Sequence, residues 1–391
     1  MVLESQSIME SEGMNPRQRV ITALNHQEPD MVPIDLGSTE NTTICRIAYI
    51  NLREFLNLGP DPSPYVINRQ MDSVFPQEDL LHEYQVDFRP VKPSSSWKAR
   101  TREMPDDSFY DEYSIRWRKA SYYYDMVEHP LARSTLADLP KATFADPYAR
   151  GRVEGIRAQA QWLYENTDFA LVVGHIAWGP FEMCCSLRGY EQFLVDLYDD
   201  TRYAEALLDK TLESAIGFWD VYLREVGEFV QVVCQGDDLG TQTGPWISPE
   251  MYRRFIKPRH KQLFDFIHSK TKARTFLHSC GSVYDLIPDF IDAGVEILSP
   301  VQRSAAKMDL GRLKREFGKD ICFWGGGIDT QHVLPNATLD EIRDHVGQTF
   351  DVMAPGGGWV FVPVHNIQAD IAPERVQAVY ETALKKRKYR A

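Results

Sequence analysis

The sequence predicts an α/β chain folded as a closed (β/α)8 barrel, and three observations carry that prediction. Short apolar runs recur at 31–36, 169–174, 229–234, Arg274–His278, 295–300, 321–324 and 359–364, each of a length suited to a strand buried on both faces. Several are followed by amphipathic helical periodicity, and strand alternating with helix implies parallel pairing. The number of units, with no dinucleotide-type glycine fingerprint, favours a closed barrel over an open sheet.

The run at 31–36 opens the barrel. Residues 81–147 then break the rhythm: Trp97, Trp117, Tyr122, Tyr123 and Tyr124 stand among many charges, and Ser114-Ile115-Arg116-Trp117-Arg118 alternates as a strand does. This stretch reads as an insertion or lid-like subregion of a single domain spanning 1–391, too rich in aromatics for a disordered linker. His175 and Trp178 follow the run at 169–174, which makes them substrate-binding candidates at the barrel mouth; Trp178 is either a wall for a flat ligand or a structural ring under a loop. Glu182 reads as a carboxylate at a helix N-terminus in preference to a metal ligand.

Asp237 and Asp238, in Gln235-Gly236-Asp237-Asp238-Leu239-Gly240, follow the next run and belong on the C-terminal rim, where catalytic groups gather in this fold. The pair either shapes the turn through loop amides or serves a substrate or a metal-bound water. The run Arg274–His278 ends in His278-Ser279-Cys280-Gly281, and residues i and i+2 of a strand share a face, so imidazole and thiol stand together as they would in a core pair or in a zinc site. His365, at the end of the last run, completes an open three-ligand set. Ser282-Val283-Tyr284-Asp285 and Thr338-Leu339-Asp340-Glu341 offer helix starts of capping-box type. Trp324 precedes three glycines, 325–327, that permit close backbone approach to a bulky ligand, so Trp324 joins the substrate-binding candidates; the glycines at 356–358 read as a turn at the opposite barrel end.

Lys and Arg total 43 against 56 Asp and Glu, a net charge of −13 that disfavours nucleic acid and anionic membrane as partners. No apolar stretch reaches membrane-spanning length and the first residues lack a signal-peptide pattern, so a cytoplasmic enzyme is expected. The six cysteines show no disulfide framework. Cys184 and Cys185 read as packing residues and Cys322 as a reserve metal ligand.

At these residues the chain resembles the uroporphyrinogen decarboxylase superfamily and, within it, the corrinoid-dependent methyltransferases. The resemblance runs from Asn15-Pro16-Arg17-Gln18-Arg19-Val20 through Gly236-Asp237-Asp238-Leu239-Gly240, Ser248-Pro249-Glu250-Met251-Tyr252 and His278-Ser279-Cys280-Gly281 to His365-Asn366-Ile367-Gln368. It implies a TIM-type barrel with its site at the C-terminal mouth, and a zinc ion held by the His278–Cys280 pair and a third residue near the last strand. True decarboxylases carry an arginine-rich Arg-Gln-Ala-Gly-Arg motif where this chain has Arg17-Gln18-Arg19-Val20-Ile21. Coenzyme M methyltransferases of the branch place a cysteine where this chain has His365. Two imidazoles and one thiolate leave zinc a net charge of +1, which favours polarising an ether oxygen over activating a thiol.

The function expected from the resemblance is demethylation of a small methoxylated, aromatic compound, with the methyl passed to the cob(I)alamin of a separate corrinoid protein and Asp238 as a proton source for the leaving phenolate. The chain has no cobalamin-binding Asp-x-His-x-x-Gly motif of its own, so the corrinoid comes with its partner. Uroporphyrinogen decarboxylation without metal is the alternative enzyme; a non-catalytic corrinoid- or tetrapyrrole-binding accessory protein is the alternative outside catalysis. The methyl donor, the direction of transfer and homo-oligomer formation are open at this stage.

Overall fold

A computed structural model describes residues 13–93 and 101–389. Seven strands pair in parallel in the order Phe88–Pro90, Ala170–Val173, Val232–Gly236, Arg274–His278, Ile297–Ser299, Cys322–Trp324 and Trp359–Val360. The ring closes through residues 33–35: Asp35 N donates to Phe361 O, Phe361 N to Pro33 O and Asp87 N to Ile34 O, each at 2.9 Å. Eight parallel positions in one closed ring are the TIM-type barrel that the alternation predicted.

The apolar runs became strands because their side chains fill the barrel and the layer beneath its helices. Ile34, Phe88, Val172, Phe276, Ile297, Phe323 and Trp359 are all buried. Trp324 occupies the barrel interior, 4.5 Å from the Phe88 ring and 5.4 Å from that of Phe276 between centroids. Thr338 caps the helix Leu339–Met353 with the full reciprocal box to Glu341. Ser282 does not cap. Its hydroxyl donates to Ala306 O instead, and a 3-10 turn, Tyr284–Leu286, leads into the helix Ile287–Ala293.

Two further readings need correction. Gly325 N and Gly327 N continue the pairing to Val360 O and Val362 O, and a side chain at Gly327 would strike Phe361 within 2.6 Å, so these glycines admit the neighbouring strand, not a ligand. The strand Phe88–Pro90 lies inside the stretch 81–147. The excursion beyond it is a four-stranded antiparallel sheet, Arg102–Glu103, Phe109–Tyr110, Arg116–Ala120 and Tyr123–Glu128, which stands over the barrel mouth. Trp97 falls outside the described residues. Among those described, no helix is long and apolar enough to cross a membrane.

Candidate metal centre

Register delivers the first two donors. Gly236 pairs with His278 at the C-terminal ends of adjacent strands, and His278 is the last residue of its strand. Cys280 stands two residues on, in the loop, with Sγ 3.3 Å from His278 Nε2. Gly281 makes that turn possible: its φ is +85°, and a Cβ there would come within 2.6 Å of Thr241 O. The third donor arrives through the loop after Trp359–Val360, held where Ile367 bridges Ile44. One ligand atom each from His278, Cys280 and His365 falls within 4.8 Å of the others.

These residues fit a zinc ion. Bond lengths of about 2.0–2.3 Å around a tetrahedral metal put ligand atoms roughly 3.4–3.8 Å apart; the His278–Cys280 pair stands at 3.3 Å and the whole set within 4.8 Å, so small side-chain shifts would close it on an ion. His365 Nδ1 hydrogen-bonds Asn366 Oδ1, which leaves Nε2 as a lone pair turned to the cluster. Burial lowers the pKa of His278 well below its usual value, with His175 and His365 adding to it, and burial lowers that of His365. Both shifts favour the neutral imidazole, the form that can ligate a metal. Burial pushes the Cys280 thiol well up, aided by Asp238 and Glu182, so loading a cation must displace its proton.

The cluster opens on a cavity of about 740 Å³ whose lining includes His175, Trp178, Glu182 and Asp238. Asp238 Oδ1 accepts the Cys280 amide at 2.8 Å and lies 3.9 Å from His278 Nε2. Burial pushes its pKa up to about 6, and Glu182 is driven well above its usual range by burial and by Asp238. His175 stands edge-on to His278 at 5.4 Å, with Nδ1 3.7 Å from Glu40 Oε1. Trp178 faces Trp117 of the antiparallel sheet at 6.2 Å, and Tyr123 of the same sheet reaches Asn366 Oδ1 through its hydroxyl at 3.3 Å.

Three candidates are placed elsewhere. Asp237 is fully buried and turned away from the cavity: it accepts from Glu182 N at 2.7 Å and Phe181 N at 3.2 Å, capping the helix Pro180–Arg188, and binds His260 Nε2 at 2.7 Å. Trp324 lies below the mouth and donates from Nε1 to Asp35 Oδ2 at 3.0 Å. Cys322 begins its strand at the opposite end of the barrel, with Sγ directed at Leu24 O. The residues that sequence reading missed are Glu40 and Asn41. Asn41 Nδ2 lies 2.7 Å from His278 Nε2 and 3.3 Å from His365 Nε2.

A TIM-type barrel with a ligand-ready His-Cys-His cluster beneath an aromatic-lined mouth is thus the class that fold and site define. The sequence pattern of the family uroporphyrinogen decarboxylase (URO-D) matches residues 126–385, and the chain belongs to that family. It is 27% identical over 199 residues to the methylcobamide:CoM methyltransferase MtaA of Methanosarcina barkeri, covering 50% of this chain and 55% of that protein. It is also 20% identical over 224 residues to a methylated-thiol–coenzyme M methyltransferase of Methanosarcina mazei, covering 56% of this chain and 57% of that one. The chain thus spans a little over half the length of the curated relatives it matches. A solved methyltransferase from Methanosarcina mazei shares the fold, with TM-score 0.65 at 18% identity over 95% of this chain and 99% of that one.

Proposed function

We propose that the protein is a zinc-dependent methyltransferase that demethylates a small methoxylated aromatic compound and passes the methyl group to the cob(I)alamin of a partner corrinoid protein. The observation that carries this reading is the convergence of His278, Cys280 and His365 at the open mouth of the barrel, in a chain related to methylcobamide-dependent methyltransferases. A bound zinc supplies a Lewis acid for the ether oxygen. Trp178 and Trp117 hold the ring, which limits how the methyl group is presented to the mouth. The leaving phenolate takes a proton from Asp238 or Glu182, both of which burial biases toward the protonated form.

The lining speaks against the decarboxylase alternative. Among the described residues six acidic side chains line the cavity against one guanidinium, that of Arg69; Arg69 is paired with Glu103 and Glu112 with Arg152, so Glu40, Asp111 and Asp125 still leave the lining acidic even with a proton retained at Asp238 or Glu182. A porphyrinogen bearing many carboxylates would enter against that field.

Incubation with a reduced corrinoid protein and a panel of methoxyarenes, methanol and methyl thioethers tests the reading. Methylcobalamin should form fastest from the methoxyarenes. Decarboxylation of uroporphyrinogen without metal or corrinoid would establish the other enzyme instead, and zinc-free protein inactive on both would point to an accessory role.

A further inference from the structure

Asn41 touches two corners of the donor triangle, and nothing in the ligand set accounts for it. It arrives on a tightly stapled loop. Ser38 Oγ donates to Asp35 Oδ2 at 2.6 Å, Gly37 N to Thr42 O at 2.8 Å and Thr39 N to Thr42 Oγ1 at 3.0 Å, while Trp324 holds Asp35 from below. Its carboxamide is thus delivered to the cluster by the fold. Nδ2 lies within hydrogen-bond distance of the Nε2 atoms of both imidazoles, whereas Oδ1 is buried with no hydrogen-bond partner among the described residues. Burying a carbonyl without a partner is unfavourable, so its persistence calls for a role.

A cation at the cluster reverses this arrangement. The lone pairs on both Nε2 atoms become committed, and the N–H groups of Asn41 face positive charge with no acceptor. Half a turn about the last side-chain torsion exchanges the two ends of the amide and points Oδ1 at the ion. We propose that Asn41 supplies through Oδ1 the fourth, exchangeable ligand of a metal held by His278, Cys280 and His365. A neutral carboxamide oxygen is a weaker zinc donor than imidazole or thiolate, so an incoming ether oxygen can displace it. Asn41 then closes the open coordination position between turnovers. This rests on the zinc reading above and extends it.

Chelator competition gives the zinc affinity, and the visible spectrum of the Co(II)-substituted protein reports the ligand set; neither readout needs turnover. Asn41→Ala should weaken zinc binding roughly tenfold, and Asn41→Asp, nearly isosteric and anionic, should tighten it by a similar factor. Both variants should shift the Co(II) bands, because one ligand atom changes. Affinities within twofold of wild type for both variants, with superimposable Co(II) spectra, would overturn the assignment and leave Asn41 only orienting the imidazoles. His278→Ala separates that failure from a deeper one: if it binds zinc as wild type does, the metal centre itself is misplaced.

Discussion

At the residue scale, ligand identity sets the charge of the centre. His365→Cys should still bind zinc while removing the net positive charge of the site, with a loss of about 1–3 kcal/mol in transition-state stabilisation, roughly tenfold to a hundredfold in rate. Initial rates of methylcobalamin formation from a methoxyarene check this; an unchanged rate with zinc bound would show that the third ligand does not set the chemistry. The proximity of His278 and Cys280 was legible in sequence because the two-residue period of a strand places them together. Asn41 was not: it lies 237 positions before His278, and only barrel closure through residues 33–35 brings it there. Nor could sequence separate the neighbours Asp237 and Asp238, since which one turns inward depends on where the helix Pro180–Arg188 presents its free amides.

At the scale of elements, Asp237 joins a helix to the neighbouring loop. Asp237→Ala removes the acceptor for two backbone amides and for His260, and should cost about 2–4 kcal/mol of stability in chemical denaturation. Glu296 ties the bottom of the strand Arg274–His278 to that of Ile297–Ser299. Burial would raise its pKa, but His268, the Thr275 amide and Arg274 together hold it down to about 2. A carboxylate depressed from its usual 4.5 contributes stability that is present above pH 4.5 and lost as pH falls toward 2. Glu296→Gln should therefore be less stable than wild type by about 1–2 kcal/mol at neutral pH, allowing for its partial exposure, with the gap closing across that acid window. A gap that persisted at pH 2 would assign the effect to packing. Apolar periodicity disclosed the strands that end in buried hydrophobics, yet it passed over Phe88–Pro90. That strand carries Arg89, buried against Glu78 and over the Phe169 ring, and an ion-paired arginine in a strand leaves no apolar pattern to read.

At the scale of the whole molecule, the barrel sets the donors and the antiparallel sheet closes an aromatic wall over them, inside an acidic cavity that disfavours polyanions. Trp178→Ala should raise KM for a methoxyarene about tenfold while kcat changes little, since ring packing of this kind contributes on the order of 1 kcal/mol beyond area burial. Equal KM for wild type and variant would place the substrate elsewhere in the cavity. On the proposed reading, the chain's own share of the reaction is the converged donor set of His278, Cys280 and His365, which would need a cation before acting on an ether oxygen. Metal analysis of the purified protein beside Cys280→Ala tests that requirement most directly: wild type should carry about one zinc per chain, and the variant should lose both zinc and methyl transfer while its circular dichroism is unchanged. Full zinc and full turnover in the Cys280→Ala protein would contradict the account.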